Sequence, residues 1–238
     1  MNHTLILLIL LLPMALPLTG QSTLSDQEVL TSRKQSVQLH HSESGVANIL
    51  TGRRYTESIN QFKQYFLGKY TIYGTLVFDG VLFDNIELQY NLYTQTVIAL
   101  LETESVERYV IVTPDKVSRF SIYGHNFVQY PGDSAMAPGI YELAHQGEDS
   151  KVFIKRTSIK KETIRGGKVN VEYEPINKYY ITNPFGSFHI TGKKKLIQAY
   201  RGSATLNSII KKHKIKFSKK QMEMGLVTAI TQYESFTK

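Results

Sequence analysis

The chain has no cysteine and no tryptophan, and only 7 prolines in 238 residues. Without thiols, disulfide staples, thiolate nucleophiles and cysteine metal ligands are all excluded. Core-forming residues are not short: 42% of the chain is hydrophobic and 20% charged, which excludes compositional disorder and fits one long domain or a domain with appendages. The 15 Tyr and 11 Phe favour strands, because large stiff side chains suit a pleated surface. Acidic residues run out towards one end. Residues 21–150 hold 9 Lys+Arg and 15 Asp+Glu, a net of −6, while residues 151–238 hold 19 and 5, a net of +14, and the two sum to the chain's +8. The carboxy-terminal part therefore faces something anionic, or the acidic first part of its own chain.

A continuous apolar run occurs at the amino terminus, Leu5-Ile6-Leu7-Leu8-Ile9-Leu10-Leu11-Leu12, followed by Pro13 and Pro17 and by small residues up to Gly20. It falls short of the ~20 apolar residues of a membrane-spanning helix. Residues 1–20 read as a secretory signal peptide cut near Gly20, although His3 stands where Lys or Arg is usual. No Cys follows Gly20, so lipid attachment there is excluded. The expected location is the periplasm or the outer-membrane surface, with no transmembrane segment in the mature chain. Residues 21–47 form a polar lead-in.

From about Lys69 the apolar period becomes two. Tyr70, Ile72, Leu76 and Phe78 share a face, and Asp79-Gly80 supplies the strongest short hairpin signal. Ile86, Leu88, Tyr90 and Leu92 then alternate with Glu87, Gln89, Asn91 and Tyr93, which predicts a half-exposed antiparallel strand. Further strands are predicted at 96–101, 108–112, 119–123, 126–130, 139–144, 151–156, 169–174, 178–182 and 187–191, separated by Pro, Gly and Asp breakers. The fold class is mainly β: an antiparallel meander, sandwich or open barrel over residues 48–192. Beyond Gly192 the period turns helical, in groups around Leu196, Leu206 and Leu226, so residues 193–238 read as a basic helical module and the whole as α+β. Ser218-Lys219-Lys220-Gln221 matches a capping box. A closed outer-membrane barrel fits poorly, because several strands fall short of ~9–11 residues.

Leu50-Thr51-Gly52-Arg53-Arg54-Tyr55, Gly74-Thr75-Leu76-Val77-Phe78-Asp79-Gly80, Asn85–Tyr93, Gly139-Ile140-Tyr141-Glu142-Leu143 with Gly147, and Tyr179-Tyr180-Ile181 before a Lys-rich end together make the chain similar to a group of exported Bacteroidota proteins. The resemblance covers about residues 48–235 and rests on Gly turns and Tyr-bearing strands. It implies export and a β-rich fold. The group has no assigned activity, so no catalytic or binding residues come with it.

The residues themselves offer little chemistry. His3, His40, His41, His125, His145, His189 and His213 form no pair at metal-ligand spacing, and no metal or other cofactor is expected. His189 reads as an exposed strand residue. Ser134 sits in Gly132-Asp133-Ser134-Ala135-Met136 without a nucleophile elbow, where Asp-Ser is ordinary turn chemistry. Asp79 with Asp84, or Glu102 with Glu104, would serve a hydrolase of envelope polysaccharide or peptide only if the fold brought them to the right separation. Tyr73 and Tyr93 fall on the polar side of the alternation and are the tyrosines that could line a groove.

The densest feature is basic. Lys211, Lys212, Lys214, Lys216, Lys219 and Lys220 fall within ten residues around Ile215 and Phe217, with Lys193, Lys194 and Lys195 upstream. These nine are the candidate contacts to an anionic partner: anionic lipid, lipopolysaccharide or an acidic protein face. Arg201 is the single arginine nearby, which disfavours bidentate phosphate recognition, and no nucleic-acid partner is expected. The bland counterpart is a solvated seam, with Ile215 and Phe217 docked on the core. The expected role is a non-enzymatic binding or structural protein.

Overall fold

A computed structural model describes residues 52–54, 64–68, 71–102 and 107–237. The expected signal peptide, residues 1–20, and the expected lead-in, residues 21–47, lie outside the described residues. The strands are β1 (Gly52–Arg54), β2 (Ile72–Phe78), β3 (Val81–Asn91), β4 (Thr96–Glu102), β5 (Glu107–Val112), β6 (Val117–Ile122), β7 (His125–Tyr130), β8 (Gly139–Gln146), β9 (Lys151–Arg165), β10 (Lys168–Asn183) and β11 (Gly186–Ile190). Three helices follow: α1 (Lys193–Ala199), α2 (Ala204–Lys212) and α3 (Met222–Thr237). The strands make one open antiparallel sheet in the order β1-β5-β4-β3-β2-β6-β7-β8-β9-β10-β11. Its two edge strands do not pair with each other, so the sheet is open, and with the three helices the expected mainly β, α+β class holds. The chain departs from nearest-neighbour order twice, where β1 pairs with β5 and where β6 pairs with β2.

Turn chemistry sets the register. Asp79 and Gly80 have φ of 51° and 77°, and Gly166 and Gly167 have 58° and 73°, the paired positive values of a two-residue hairpin turn. β3 differs from its expected half-exposure: Gln89 and Asn91 are buried along with Leu88 and Tyr90. Burial costs Asn91 little, because its Oδ1 accepts the N–H groups of Tyr93 and Thr94 and so closes the turn into β4.

β9 and β10 run far beyond the predicted short strands, and the segments expected at 169–174 and 178–182 are one strand that passes through Pro175. Proline is tolerated there for a geometric reason. Pro175 opposes Ser158, whose N–H points away from β10 and donates to the Leu92 carbonyl at 3.1 Å. The pair is therefore non-hydrogen-bonded, and the ladder needs no N–H from Pro175.

The sheet serves two cores on one face. Leu76, Phe83, Tyr90, Phe120 and Phe127 belong to the first, under the curved half of the sheet, with Phe120 and Phe127 stacked 4.7 Å apart. Val152, Ile181 and Ile190 of the far strands pack with Leu196, Leu206, Ile210, Leu226 and Ile230 in the second. The helical module thus closes over the face of β9–β11. On the opposite face, Met136 from the β7–β8 loop seals Tyr141, Phe153 and Tyr180. The predicted capping box is not formed: Ser218 Oγ bonds the Gln221 side chain at 3.0 Å and leaves the α3 backbone donors alone. A side-chain cap is seen at α2, where Ser203 accepts from Leu206 N–H at 3.2 Å.

Candidate functional site

The basic segment is built on the end of α2. Ile215 N–H reaches back to the Ile210 carbonyl, Lys214 N–H reaches Lys211, and Lys214 adopts φ 50°, the left-handed value that ends a helix and that glycine adopts most easily. Reversing the chain this way turns Ile215 and Phe217 onto the second core. Lys211, Lys212, Lys214, Lys216, Lys219 and Lys220 are all left exposed, and among the described residues none of them forms an ion pair. The connection is held tightly to α3: a Cβ on Gly225 would stand 2.3 Å from the Lys216 carbonyl oxygen. Met224, 64% exposed, lies beside it and lines a shallow groove of about 250 Å³ with Lys214, Lys216 and Gly225.

Lys193, Lys194 and Lys195 occupy the first turn of α1, behind Gly192, which offers no side-chain cap. Cations oppose the helix dipole there, so this turn concentrates positive potential at a cost in stability. A second groove, of about 400 Å³, runs between the edge of β10 and the α2–α3 connection. Thr191, two residues before Lys193, lines it together with Lys219, Lys178, His189, Phe217 and Met222.

A third groove, about 680 Å³, separates the turn at Tyr65–Gly68 from the β9–β10 ribbon, with Leu92, Tyr173 and Pro175 in its lining. Beneath it lies a charge network that sequence reasoning missed. Glu142, 3% exposed, bonds His125 Nδ1 at 2.6 Å with one oxygen and accepts from Arg156 Nε at 2.5 Å with the other. Arg156 Nη2 continues to Glu223 on α3 at 2.9 Å. Burial alone would lower the Arg156 pKa, but hydrogen bonds to the two glutamates outweigh it and raise the value. Further along α3, Glu234 bonds His145 at 3.1 Å and the Ser150 N–H at 3.0 Å. Both links tie strands to α3, from partners 67 and 89 positions apart. No local spacing could have announced them.

The sequence candidates for catalysis are dispersed. Asp79 binds Lys116 at 3.0 Å at the mouth of its turn, and the side chains of Glu102 and Glu104 lie outside the described ones. Ser134 is exposed in a turn that Asp133 closes by accepting from the N–H groups of Ala135 and Met136. The Tyr130 hydroxyl and Ser187 also bond Asp133, and these contacts hold its carboxyl well below the usual range. Tyr93 is half-exposed and rests edge-on at 5.3 Å against Tyr173, which lines the third groove. His189 is exposed, against the Tyr180 ring at 5.0 Å. Among the described residues no cluster of three or more His, Asp or Glu could hold a metal ion.

Comparison with protein-family models, with curated proteins and with solved structures returned no match. No helix among the described residues is long and apolar enough to cross a membrane.

Proposed function

We propose that the protein is an exported, envelope-associated, non-enzymatic binding protein that meets an anionic lipid surface through the connection between α2 and α3. Export and the likeness to exported Bacteroidota proteins belong to the same proposal. One observation carries it: six lysines in ten residues stand exposed and outside any ion pair among the described residues, on a backbone pinned to the core by Ile215, Phe217 and Gly225. The exposed Met224 among them adds an apolar tip suited to the headgroup boundary.

Sedimentation of residues 21–238 with vesicles tests the reading. Binding to phosphatidylglycerol vesicles at low salt, fading as salt rises and absent on phosphatidylcholine, is the expected outcome. Replacing Lys211, Lys216 and Lys220 with Glu should abolish it, since each surface lysine contributes about 1 kcal/mol near an anionic leaflet. Failure to sediment at low salt would overturn the proposal.

A further inference from the structure

β10 carries an unpaired edge. β11 pairs with it from Asn183 to Tyr179 and then leaves the sheet at Thr191 to begin α1, while β10 continues to Lys168 with β9 as its single described neighbour. The parity established at Pro175 says which groups face the opening. Ser158 and its even-numbered neighbours on β9 point their backbone groups away from β10, so the opposing odd-numbered residues of β10 point theirs outward. Tyr179 and Ile181 use these groups to bond β11, whereas the Asn177 N–H and carbonyl and the Pro175 carbonyl are offered to the groove alongside.

That groove has two walls of different chemistry. On the helix side stand Phe217, Met222 and Tyr179, all members or neighbours of the second core. Lys178 and His189 stand on the opposite face, since His189 pairs with Tyr180 and Lys178 precedes Tyr180 by the two-residue strand period. Lys219 lies at the rim. By the same parity Ile176 and Glu174 share that face, and Glu174, the acid of the groove, is held by Lys161, so with Lys178 and Lys219 the face stays net positive. A strand laid along β10 in the line that β11 abandons would therefore turn alternate side chains to an apolar wall and to a cationic one.

We propose that this edge binds an extended peptide alternating apolar and acidic residues, added as a further strand beside Asn177. The site lies beside the lipid-facing connection and shares Phe217 and Lys219 with it, but its edge and Lys178 lie on the sheet, so the proposal does not rest on the vesicle reading.

The test uses residues 21–238 and fluorescence anisotropy of a labelled peptide alternating valine with glutamate. Saturable binding is expected, with an isotope-edited infrared band showing strand formation in the bound peptide. The valine–lysine analogue should not bind. The same acidic peptide, N-methylated on alternate amides, keeps its charge but loses one edge of its hydrogen bonds, and should bind at least about tenfold more weakly. Asn177→Pro removes an outward N–H that the β9 ladder does not use, and should weaken binding about fivefold at unchanged thermal stability. Lys178→Glu should weaken the acidic peptide and leave vesicle sedimentation unchanged. Equal binding of the methylated and plain acidic peptides would show nonspecific charge attraction and overturn the proposal. So would no binding at all, or self-association of the chain that the peptide does not compete with.

Discussion

Lys155 shows what a single half-buried charge does to this protein. Its Nζ donates to the Ile140 carbonyl at 2.9 Å and sits 4.7 Å from the centre of the Tyr141 ring, yet among the described residues no carboxylate meets it. Burial pushes its pKa down from 10.5 to about 8. Below pH 8 both folded and unfolded chains hold the proton, and the folded state bears the full cost of a poorly solvated ammonium. Between about 8 and 10.5 the unfolded chain holds more protons than the folded one, so stability rises with pH across that window. Lys155→Met should therefore be more stable than the native chain at pH 7 by roughly 1–2 kcal/mol, after allowing for the lost hydrogen bond and partial solvation. Urea unfolding at several pH values checks this. The advantage should shrink towards pH 10.5, and a difference that stays constant with pH would contradict the account.

Helix α2 is the element that presents the basic connection, and its two ends are in opposite condition. Ser203 caps its first turn well, whereas Lys214 occupies a left-handed position better suited to glycine. Ser203→Ala should cost about 1 kcal/mol and Lys214→Gly should return about 0.5–1 kcal/mol. Thermal unfolding of both variants gives the comparison, and the opposite sign for either would mean that the end geometry is not as described. The lysine at position 214 is thus held against its own backbone preference, which fits a position kept for its charge.

At the scale of the molecule, stability resides in the two cores and in the Met136 cluster on the opposite face, and the far half of the β9–β10 ribbon belongs to none of them. Ile164 is 76% exposed and Val169 60%, an apolar cross-strand pair at the tip in contact with water. Such a two-stranded ribbon has little stability of its own and is carried by the sheet from which it grows. Deleting residues 161–164 with 169–172 removes equal even lengths from both strands, so register and facing are kept. The shortened chain should unfold within about 1 kcal/mol of the native one, because only surface pairs such as Lys161 with Glu174 are lost. A large loss in calorimetry would mean that the ribbon supports the body.

Much of this was legible locally. Period-two alternation located the strands and Asp79-Gly80 its hairpin turn, since both are written in neighbouring residues. The helical end followed from spacing in the same way, and the docking of Ile215 and Phe217 is the one expected of a solvated lysine seam. Other features had no local signature. The length of β10 was hidden by Pro175, which is harmless only because Ser158 turns its N–H towards Leu92, a fact of pairing across the sheet. The half-exposure expected of β3 failed because tertiary closure buried Gln89 and Asn91. Glu142 met His125 and Arg156, and His145 met Glu234, through contacts that pairing order alone creates. The sequence by itself determined the β-rich class, the turns, the helical end and the charge polarity, all properties of near neighbours. Only the tertiary structure decided the strand order, the buried charge network and the open edge of β10, because each depends on which distant segments lie side by side.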